Sequence, residues 1–277
     1  MNEIKAVCIE KLSKPRQDME KSNAMWNKRA REFRKLSSSA GDGGVFDLFK
    51  ARAELKGRSV IDVGCGAGRY LKRLLDEGAL AEGIEPSVEM AREARDFVSQ
   101  SGYDGAAAPI YNVAFQDFAP GKKYDYVFIS NSPVISYYEN YPRIIDLARR
   151  GIFISSWLKI KDLFLEKIAA GLGRAPHTHG GCDIVYFMNL LLADGYYPDF
   201  WTNVSHREER VDPENFYLRY ASWLYGPEYG ERDLEGVKKE IAKYVGDDKK
   251  VAVSSTNVMG LLYLDLLKQP AKKECNH

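Results

Sequence analysis

The sequence predicts an α/β fold with a mostly parallel sheet, and two observations carry that prediction. The first is residues 59–77, where a short apolar, β-branched run is followed by alternate glycines and then by apolar residues at helical spacing. This order is typical of a buried strand, a glycine turn and a helix. The second is the order β-α-β-α-β-β-α-β, which continues to residue 157. Such alternation is typical of sheets whose strands run mostly in parallel.

Composition limits the class of protein. The chain has 277 residues, which allows one large domain or one domain with an inserted cap. Its 40 basic and 39 acidic side chains give a net charge of +1. Proteins that bind duplex nucleic acid usually carry a basic face, so we expect no nucleic-acid partner. No stretch approaches the roughly 18 consecutive apolar residues of a membrane span, so we expect no membrane association. The oligomeric state stays open.

The cysteines and the N-terminal residues indicate a cytoplasmic protein. Residues 1–14 are too charged, and their apolar part is too short, for a secretory signal. The cysteines lack C-x-x-C pairing, which is typical of reduced thiols. They are Cys8, Cys65, Cys182 and Cys275.

The N-terminal part is predicted to be helical. Residues 1–16 carry no assignment, and Pro15 interrupts whatever precedes it. Residues 18–36 place apolar side chains on one side of a helix. Residues 37–44 (SSSAGDGG) are predicted to form a flexible link, and residues 45–55 a second helix.

The middle of the chain holds the alternating elements. Ser87 is a suitable N-cap for the helix after the second strand, whereas the signal for the third strand is weak. The predicted elements are a strand at 59–63, a helix at 69–77, a strand at 81–85, a helix at 87–100, a weak strand at 106–115, a strand at 124–130, a helix at 144–150 and a strand at 151–157.

The second half is predicted to complete the sheet and to add helices. Residues 196–211 and 250–264 have strand character. Asp183 is expected to cap a helix at 184–193. Further helices are predicted at 162–170, 212–224 and 234–245.

The glycine turn indicates what kind of ligand it binds. A dinucleotide fingerprint has the form G-x-G-x-x-G, but its last glycine would fall at Arg69. The glycines instead run G-x-G-x-G after Asp62, whose carboxylate suits a cation better than a phosphate. Glu85, at the end of the second strand, can accept hydrogen bonds from both ribose hydroxyls. Nicotinamide and adenosyl-sulfonium cofactors share that ribose contact, so Glu85 alone does not separate them.

Four motifs in order resemble those of class I S-adenosylmethionine-dependent methyltransferases. They are D-V-G-C-G-A-G, then G-I-E-P-S, then Q-D-F, then Y-D-Y-V-F-I-S, and the likeness covers residues 18–157. The resemblance implies a Rossmann-like, seven-stranded, mostly parallel sheet with an antiparallel C-terminal strand. It also implies N-terminal lid helices in residues 1–44, a cofactor-binding core in 45–157, and a completed sheet with an inserted helical cap and acceptor region in 158–277.

The resemblance implies S-adenosylmethionine as the cofactor and a set of residues that bind it. Met90 would touch the adenine or simply fill the core. Asp117, with Gln116 as the alternative, would bind the adenine amino group while Phe118 covers the ring. Trp26 and Arg29 lie in a W-x-x-R-A helix that covers the cofactor in relatives, or packs as an ordinary amphipathic helix. The predicted cofactor-binding residues are Asp62, Gly64, Cys65, Gly66, Gly68, Glu85, Pro86, Met90, Gln116, Asp117, Phe118, Asn131, Trp26 and Arg29.

No catalytic residue can be assigned from the sequence. Methyl transfer from a sulfonium requires alignment of the reactants and exclusion of water, with a base only when the nucleophile must lose a proton. The candidates are His177, His179 and Tyr137. The two histidines belong to an H-x-H-x-x-C-D cluster of metal-ligand types, but no partner pair with zinc spacing exists, so we predict no metal site.

The predicted function is transfer of a methyl group from S-adenosylmethionine to a small-molecule acceptor by in-line displacement. Residues 131–134 (NSPV) stand where amino-group methyltransferases of nucleobases carry an aromatic stacking residue, and the valine removes that surface. The alternatives are a nucleic-acid or protein methyltransferase, a non-catalytic protein that binds S-adenosylmethionine and, more remotely, a dehydrogenase. The acceptor and the methylated atom are not encoded in any motif.

Overall fold

The computed structural model describes residues 2–15, 18–39, 44–175 and 181–270, without the side chains of residues 2 and 36–39. The strands are β1 (Ser59–Val63), β2 (Leu80–Ile84), β3 (Ile110–Tyr111), β4 (Tyr124–Ser130), β5 (Ala148–Asp162), β6 (Asp199–Val211) and β7 (Val251–Asp265). The helices are α1 (Asn2–Leu12), α2 (Met19–Ser39), α3 (Val45–Lys50), α4 (Arg69–Asp76), α5 (Val88–Gln100), α6 (Tyr141–Leu147), α7 (Leu163–Gly171), α8 (Asp183–Ala193), α9 (Tyr217–Tyr225) and α10 (Glu231–Ala242).

The strands form one seven-stranded sheet in the order β3-β2-β1-β4-β5-β7-β6. The first five strands pair in parallel, whereas β7 is antiparallel to both β5 and β6. The sequence prediction of a mostly parallel sheet with an antiparallel C-terminal strand is therefore confirmed.

Two apolar layers enclose the sheet because successive strand residues point to opposite faces. In β1, Ile61 and Val63 join the layer that includes α6 and α8, while Val60 joins the layer of α3 and α4. Both faces of the strand are buried, which explains its nearly continuous apolar sequence.

The three C-terminal-half strands extend beyond the parallel sheet and carry the helical cap. Their pairing continues to Asp162 opposite Ser255 and to Val211 opposite Val251. The helices α7, α9 and α10 pack on this extension in a separate apolar cluster. The fifth strand thus runs five residues past the predicted end at residue 157.

Several predicted boundaries are wrong for physical reasons. Residues 2–12, left unassigned, form α1 because Cys8 and Leu12 are buried in the core. Helix α2 continues to Ser39, inside the predicted link of residues 37–44. Residues 40–43 of that link lie outside the described part of the chain. The predicted strand at 106–115 pairs only over Ile110–Tyr111.

Among the described residues, none of the helices combines the length and apolar character that a membrane span requires.

Candidate functional site

The glycine turn between β1 and α4 is built on positive backbone dihedral angles. The φ angles of Gly64, Gly66 and Gly68 are 79°, 54° and 84°. The amides of Gly64 and Cys65 both donate to the carbonyl of Ile84, at 2.8 and 3.0 Å, so the turn is tied to the end of β2. At Gly66, no described atom lies within 4 Å of the position that a Cβ would occupy. The turn therefore leaves open space where a ligand can approach the backbone.

Glu85 occupies the end of β2 beside this turn. The residue is 7% exposed. Its two carboxylate oxygens accept hydrogen bonds from the amides of Ser87, at 2.8 Å, and Gly66, at 3.0 Å. Burial raises the pKa of Glu85 to about 6, and the two amide hydrogen bonds oppose that rise. The two amides fix the carboxylate at the mouth of the open space.

Asp62 is the second buried carboxyl group of the site. The residue is 1% exposed, and its Oδ2 atom has no hydrogen-bond partner among the described residues. Burial, together with the negative charge of Glu85, raises the pKa of Asp62 to about 8. Burial, and secondarily the charges of Asp62 and Glu85, also raises the pKa of the Cys65 thiol. A buried carboxyl with an unpaired oxygen is costly, and a bound cation would satisfy it.

Helix α2 covers the start of α5 and the glycine turn. Met90, which is 2% exposed, forms an apolar cluster with Ala30 and Ala67, and the rings of Trp26 and Phe33 pack against it. Met90 is thus buried between α2 and the turn. Arg29 is also buried, but its guanidinium contacts Glu32 at 3.3 Å and Ser222 at 3.4 Å, which joins α2 to α9.

The segment predicted to meet the adenine follows β3. Asp117 is exposed, Gln116 is half-buried, and Phe118 is buried against the ring of Tyr111. Sequence reasoning missed the Arg143 side chain, which donates to the backbone carbonyls of Gln116 and Phe118 and so holds this segment from behind. No motif in the sequence marks that contact.

The turn after β2 is held by another residue that sequence reasoning missed. The side-chain amide of Asn112 donates to the carbonyls of Glu85, at 2.9 Å, and Pro86, at 3.0 Å. The predicted residue Pro86 therefore contributes a backbone oxygen to a contact that fixes the loop.

The end of β4 lies against the glycine turn. Asn131 is exposed, has a φ of 51°, and its amide donates to the carbonyl of Ser155 at 2.8 Å. The chain then places Ser132 beside Gly64, where an added Cβ would lie 2.6 Å from the serine Oγ. Gly64 is therefore required for this close approach. The end of β4 therefore lies next to the glycine turn and to Asp62, which is paired with Phe128 of β4.

The three catalytic candidates stay predictions. His177 and His179 lie outside the described residues, and Tyr137 is half-buried and forms a backbone bridge with Ser13. The described residues contain no group of three or more histidine, cysteine or acidic side chains arranged to hold a metal ion.

The prediction that Asp183 caps α8 is wrong. The helix begins at Asp183 itself, and no side chain caps it. The carboxylate instead pairs with the Lys14 ammonium at 2.7 and 2.8 Å and accepts from Ser136 at 2.5 Å. Those two partners neutralise and satisfy the carboxylate, so it does not turn back to the helix amides.

Comparisons with known proteins agree with this geometry. A family model described as a methyltransferase domain matches residues 26–160. Over 75 residues the chain is 36% identical to a ubiquinone biosynthesis O-methyltransferase of Methylococcus capsulatus, which is 27% of this chain and 32% of that protein. Over 60 residues it is 38% identical to a tRNA U34 carboxymethyltransferase of Hydrogenovibrio crunogenus, which is 21% of this chain and 17% of that protein.

A solved structure extends the likeness of the fold. The crystal structure of the cyclase SpnF covers 91% of this chain and 98% of its own, with a TM-score of 0.56 at 16% identity. The matches to the curated relatives span only about a third or less of their length, from 17% to 36%. The motifs, the fold and the family model coincide on the segment that builds the glycine turn and both carboxylates. The family model thus identifies residues 26–160, about half of the chain, as a methyltransferase domain, and their motifs resemble those of the class I S-adenosylmethionine-dependent methyltransferases, a family whose cofactor is S-adenosylmethionine.

Proposed function

We propose that this protein transfers a methyl group from S-adenosylmethionine to a small-molecule acceptor. The observation that carries the proposal is the buried pair of Asp62 and Glu85 beside the open glycine turn. Two carboxyl groups in one apolar site disfavour each other's ionisation unless a cation joins them. The methyl donor carries a cationic sulfonium and an ammonium, whereas a dinucleotide would bring an anionic diphosphate.

The residues of the site fit the donor by their chemistry. Glu85 would accept from the ribose hydroxyls with the lone pairs that its two amide contacts leave free. Asp62 would face the ammonium at the amino-acid end. When bound, S-adenosylmethionine supplies an electrophilic methyl group, and the chain's part is to bind, orient and exclude water.

The proposed acceptor is a small molecule because the nearly balanced charge of the chain is not typical of a nucleic-acid-binding protein. Its net charge is +1, and Val134 stands where an aromatic residue would stack on a nucleobase. One curated relative is named for ubiquinone biosynthesis, and another is named for tRNA, so both acceptor classes belong in the test. In this proposal helix α2, within residues 1–44, serves as the lid, residues 45–157 bind the cofactor, and residues 158–277 shape the acceptor pocket.

The test is binding followed by turnover. Calorimetry with S-adenosylhomocysteine is expected to give one site per chain, and incubation with methyl-labelled S-adenosylmethionine is expected to label members of a panel of phenols, amines and carboxylic acids. Labelling of bulk tRNA alone would overturn the small-molecule acceptor. Binding without any labelled acceptor would favour a non-catalytic protein, and loss of binding would overturn the proposal entirely.

Removal of the Glu85 carboxylate tests the ribose contact. Glu85→Ala deletes one or two hydrogen bonds to the cofactor, so binding of S-adenosylhomocysteine should weaken by about 1–3 kcal/mol. The half-buried residue Glu89 in the first turn of α5, whose carboxylate pairs with Arg92, gives a control, Glu89→Ala. An unchanged dissociation constant for Glu85→Ala would refute the role of this carboxylate.

A further inference from the structure

A side chain of α2 completes the N-terminus of α5. The Oδ1 atom of Asn27 accepts from the hydroxyl of Ser87 at 2.7 Å and from the amide of Glu89 at 3.2 Å. The Ser87 hydroxyl itself accepts from the amide of Met90 at 3.2 Å. Two residues from different helices therefore share the free amides of this helix end.

The same contacts continue to the glycine turn. The amide of Ser87 donates to Oε1 of Glu85 at 2.8 Å, and the amide of Gly66 donates to Oε2 at 3.0 Å. Ser87 is fully buried and Glu85 is 7% exposed, so the bond between the Ser87 amide and Glu85 is shielded from water. A continuous line of hydrogen bonds thus runs from Asn27 through Ser87 and Glu85 to Gly66.

Helix propensity does not explain why α2 has an asparagine at residue 27. Asparagine is a poor residue for a helix interior, because its side chain competes for backbone hydrogen bonds. Asn27 lies in the middle of Met19–Ser39, and α5 already has Ser87 as its N-cap. The carboxamide instead directs its acceptor atom to the neighbouring helix, where it fixes the residue that orients Glu85.

We propose that Asn27 is a positioning residue that couples the seating of α2 to the orientation of Glu85 toward the cofactor ribose. The inference rests on the proposed function, since it assumes that Glu85 binds the ribose. With Asn27 in place, the first turn of α5 is fixed, and the Ser87 amide holds one carboxylate oxygen in a set direction. Linkage is reciprocal, so a bound ribose also strengthens the docking of α2.

Other contacts keep α2 in place when the carboxamide is removed. The rings of Trp26 and Phe33 pack on the cluster around Met90, and the Arg34 guanidinium lies 3.9 Å from the centre of the Phe97 ring. A variant at Asn27 is therefore expected to fold. In the variant, a smaller fraction of the molecules has both α2 and Glu85 correctly placed. The apparent affinity for the cofactor falls in proportion to that fraction.

The test compares variants of α2 in calorimetry with S-adenosylhomocysteine. Asn27→Ala should raise the dissociation constant about tenfold, as expected for loss of a pair of hydrogen bonds. Asn27→Asp keeps an acceptor oxygen at the helix end and should restore binding to within about threefold. Arg31→Ala, at an exposed position of the same helix, is the control and should bind like the wild type. Because alanine favours helix more than asparagine, a purely local role would leave binding intact or improve it.

An analogue without ribose hydroxyls separates positioning from general damage. With 2′,3′-dideoxy S-adenosylhomocysteine, the wild type and Asn27→Ala should bind equally, because the coupling acts through the ribose contact. Equal binding of the unmodified ligand by both proteins would overturn the inference and leave the proposed function standing. The same tenfold loss with both ligands would also overturn it, since the effect would then bypass the ribose. Failure of the wild type to bind either ligand would overturn the proposed function and the inference together.

Discussion

Burial of the Asp62 carboxyl group costs the folded protein free energy. Its carboxyl is buried, and one of its oxygens lacks a hydrogen-bond partner among the described residues. Its pKa is raised to about 8, so the folded protein binds a proton there that the unfolded chain releases at a much lower pH. The stability of the unliganded protein should therefore fall as the pH rises from about 4 to 8, by up to about 1.4 kcal/mol per pH unit.

The same raised pKa predicts the pH dependence of cofactor binding. At about pH 6–7 the Asp62 carboxyl is protonated in the free protein, and a cationic ligand favours its ionised form. Binding should thus release a proton, and affinity for S-adenosylmethionine should rise with pH, by up to about tenfold per unit.

Calorimetry in buffers of different ionisation enthalpy measures that released proton directly. Asp62→Asn should bind more weakly at neutral pH and should lose most of the proton release. Because the amide cannot ionise, this variant should also be more stable than the wild type at about pH 8 without ligand. Undiminished proton release in Asp62→Asn would show that another group titrates.

At the scale of elements, the glycine turn sets how closely α4 approaches α5. A Cβ added at Gly68 would lie 3.0 Å from the Cα and 3.1 Å from the Cβ of Ala94 on α5. The neighbouring atoms belong partly to backbone, which cannot move aside as a long side chain can. The spacing of these two helices, and with it the shape of the cofactor edge, depends on the missing side chain.

Substitution of Gly68 tests that packing against a matched control. Gly102 has a similar φ of 90° but no described atom within 4 Å of its Cβ position. Gly102→Ala should therefore cost only the backbone strain, about 1–2 kcal/mol, whereas Gly68→Ala should cost about 1–3 kcal/mol more. Urea denaturation gives both values from the shift in midpoint. Equal losses in the two variants would contradict the close-packing argument.

At the scale of the whole molecule, the first helix joins the two halves of the chain. Leu12 of α1 is fully buried in the apolar layer that also contains Leu191 of α8. The Lys5 ammonium pairs with Asp194 at the end of α8 at 2.5 Å, and the Tyr141 hydroxyl donates to the same carboxylate at 2.9 Å. The N-terminal helix is therefore part of the main core.

Truncation of a buried side chain in α1 measures that contribution. Leu12→Ala should destabilise the protein by about 2–5 kcal/mol, because it leaves a cavity in the core. Val7 of the same helix is 50% exposed, so Val7→Ala should change the free energy of unfolding by less than about 1 kcal/mol. Thermal or urea unfolding distinguishes them. Similar small effects in both variants would mean that α1 is not integral to the folded core.

The sequence by itself determined the parallel core of the sheet and the methyltransferase family that residues 18–157 resemble. Strand β4 ends at Ser130, as predicted. Ser87 caps α5 as expected, since its hydroxyl accepts a hydrogen bond from the Met90 amide. These features are encoded locally, because apolar periodicity and turn chemistry act over a few neighbouring residues. The cofactor residues named from the motifs remain predictions that the binding experiments test.

Only the tertiary structure decided the remainder of the architecture and the links between distant residues. The helix α1, the extension of β5 to Asp162 and the pairing of Asp183 with Lys14 depend on partners far away in the chain. The contact of Asn27 with Ser87 joins residues sixty positions apart, and no local pattern marks it. Such contacts arise from packing between elements, and a short stretch of sequence constrains its own backbone far more strongly than it constrains which distant surface will meet it.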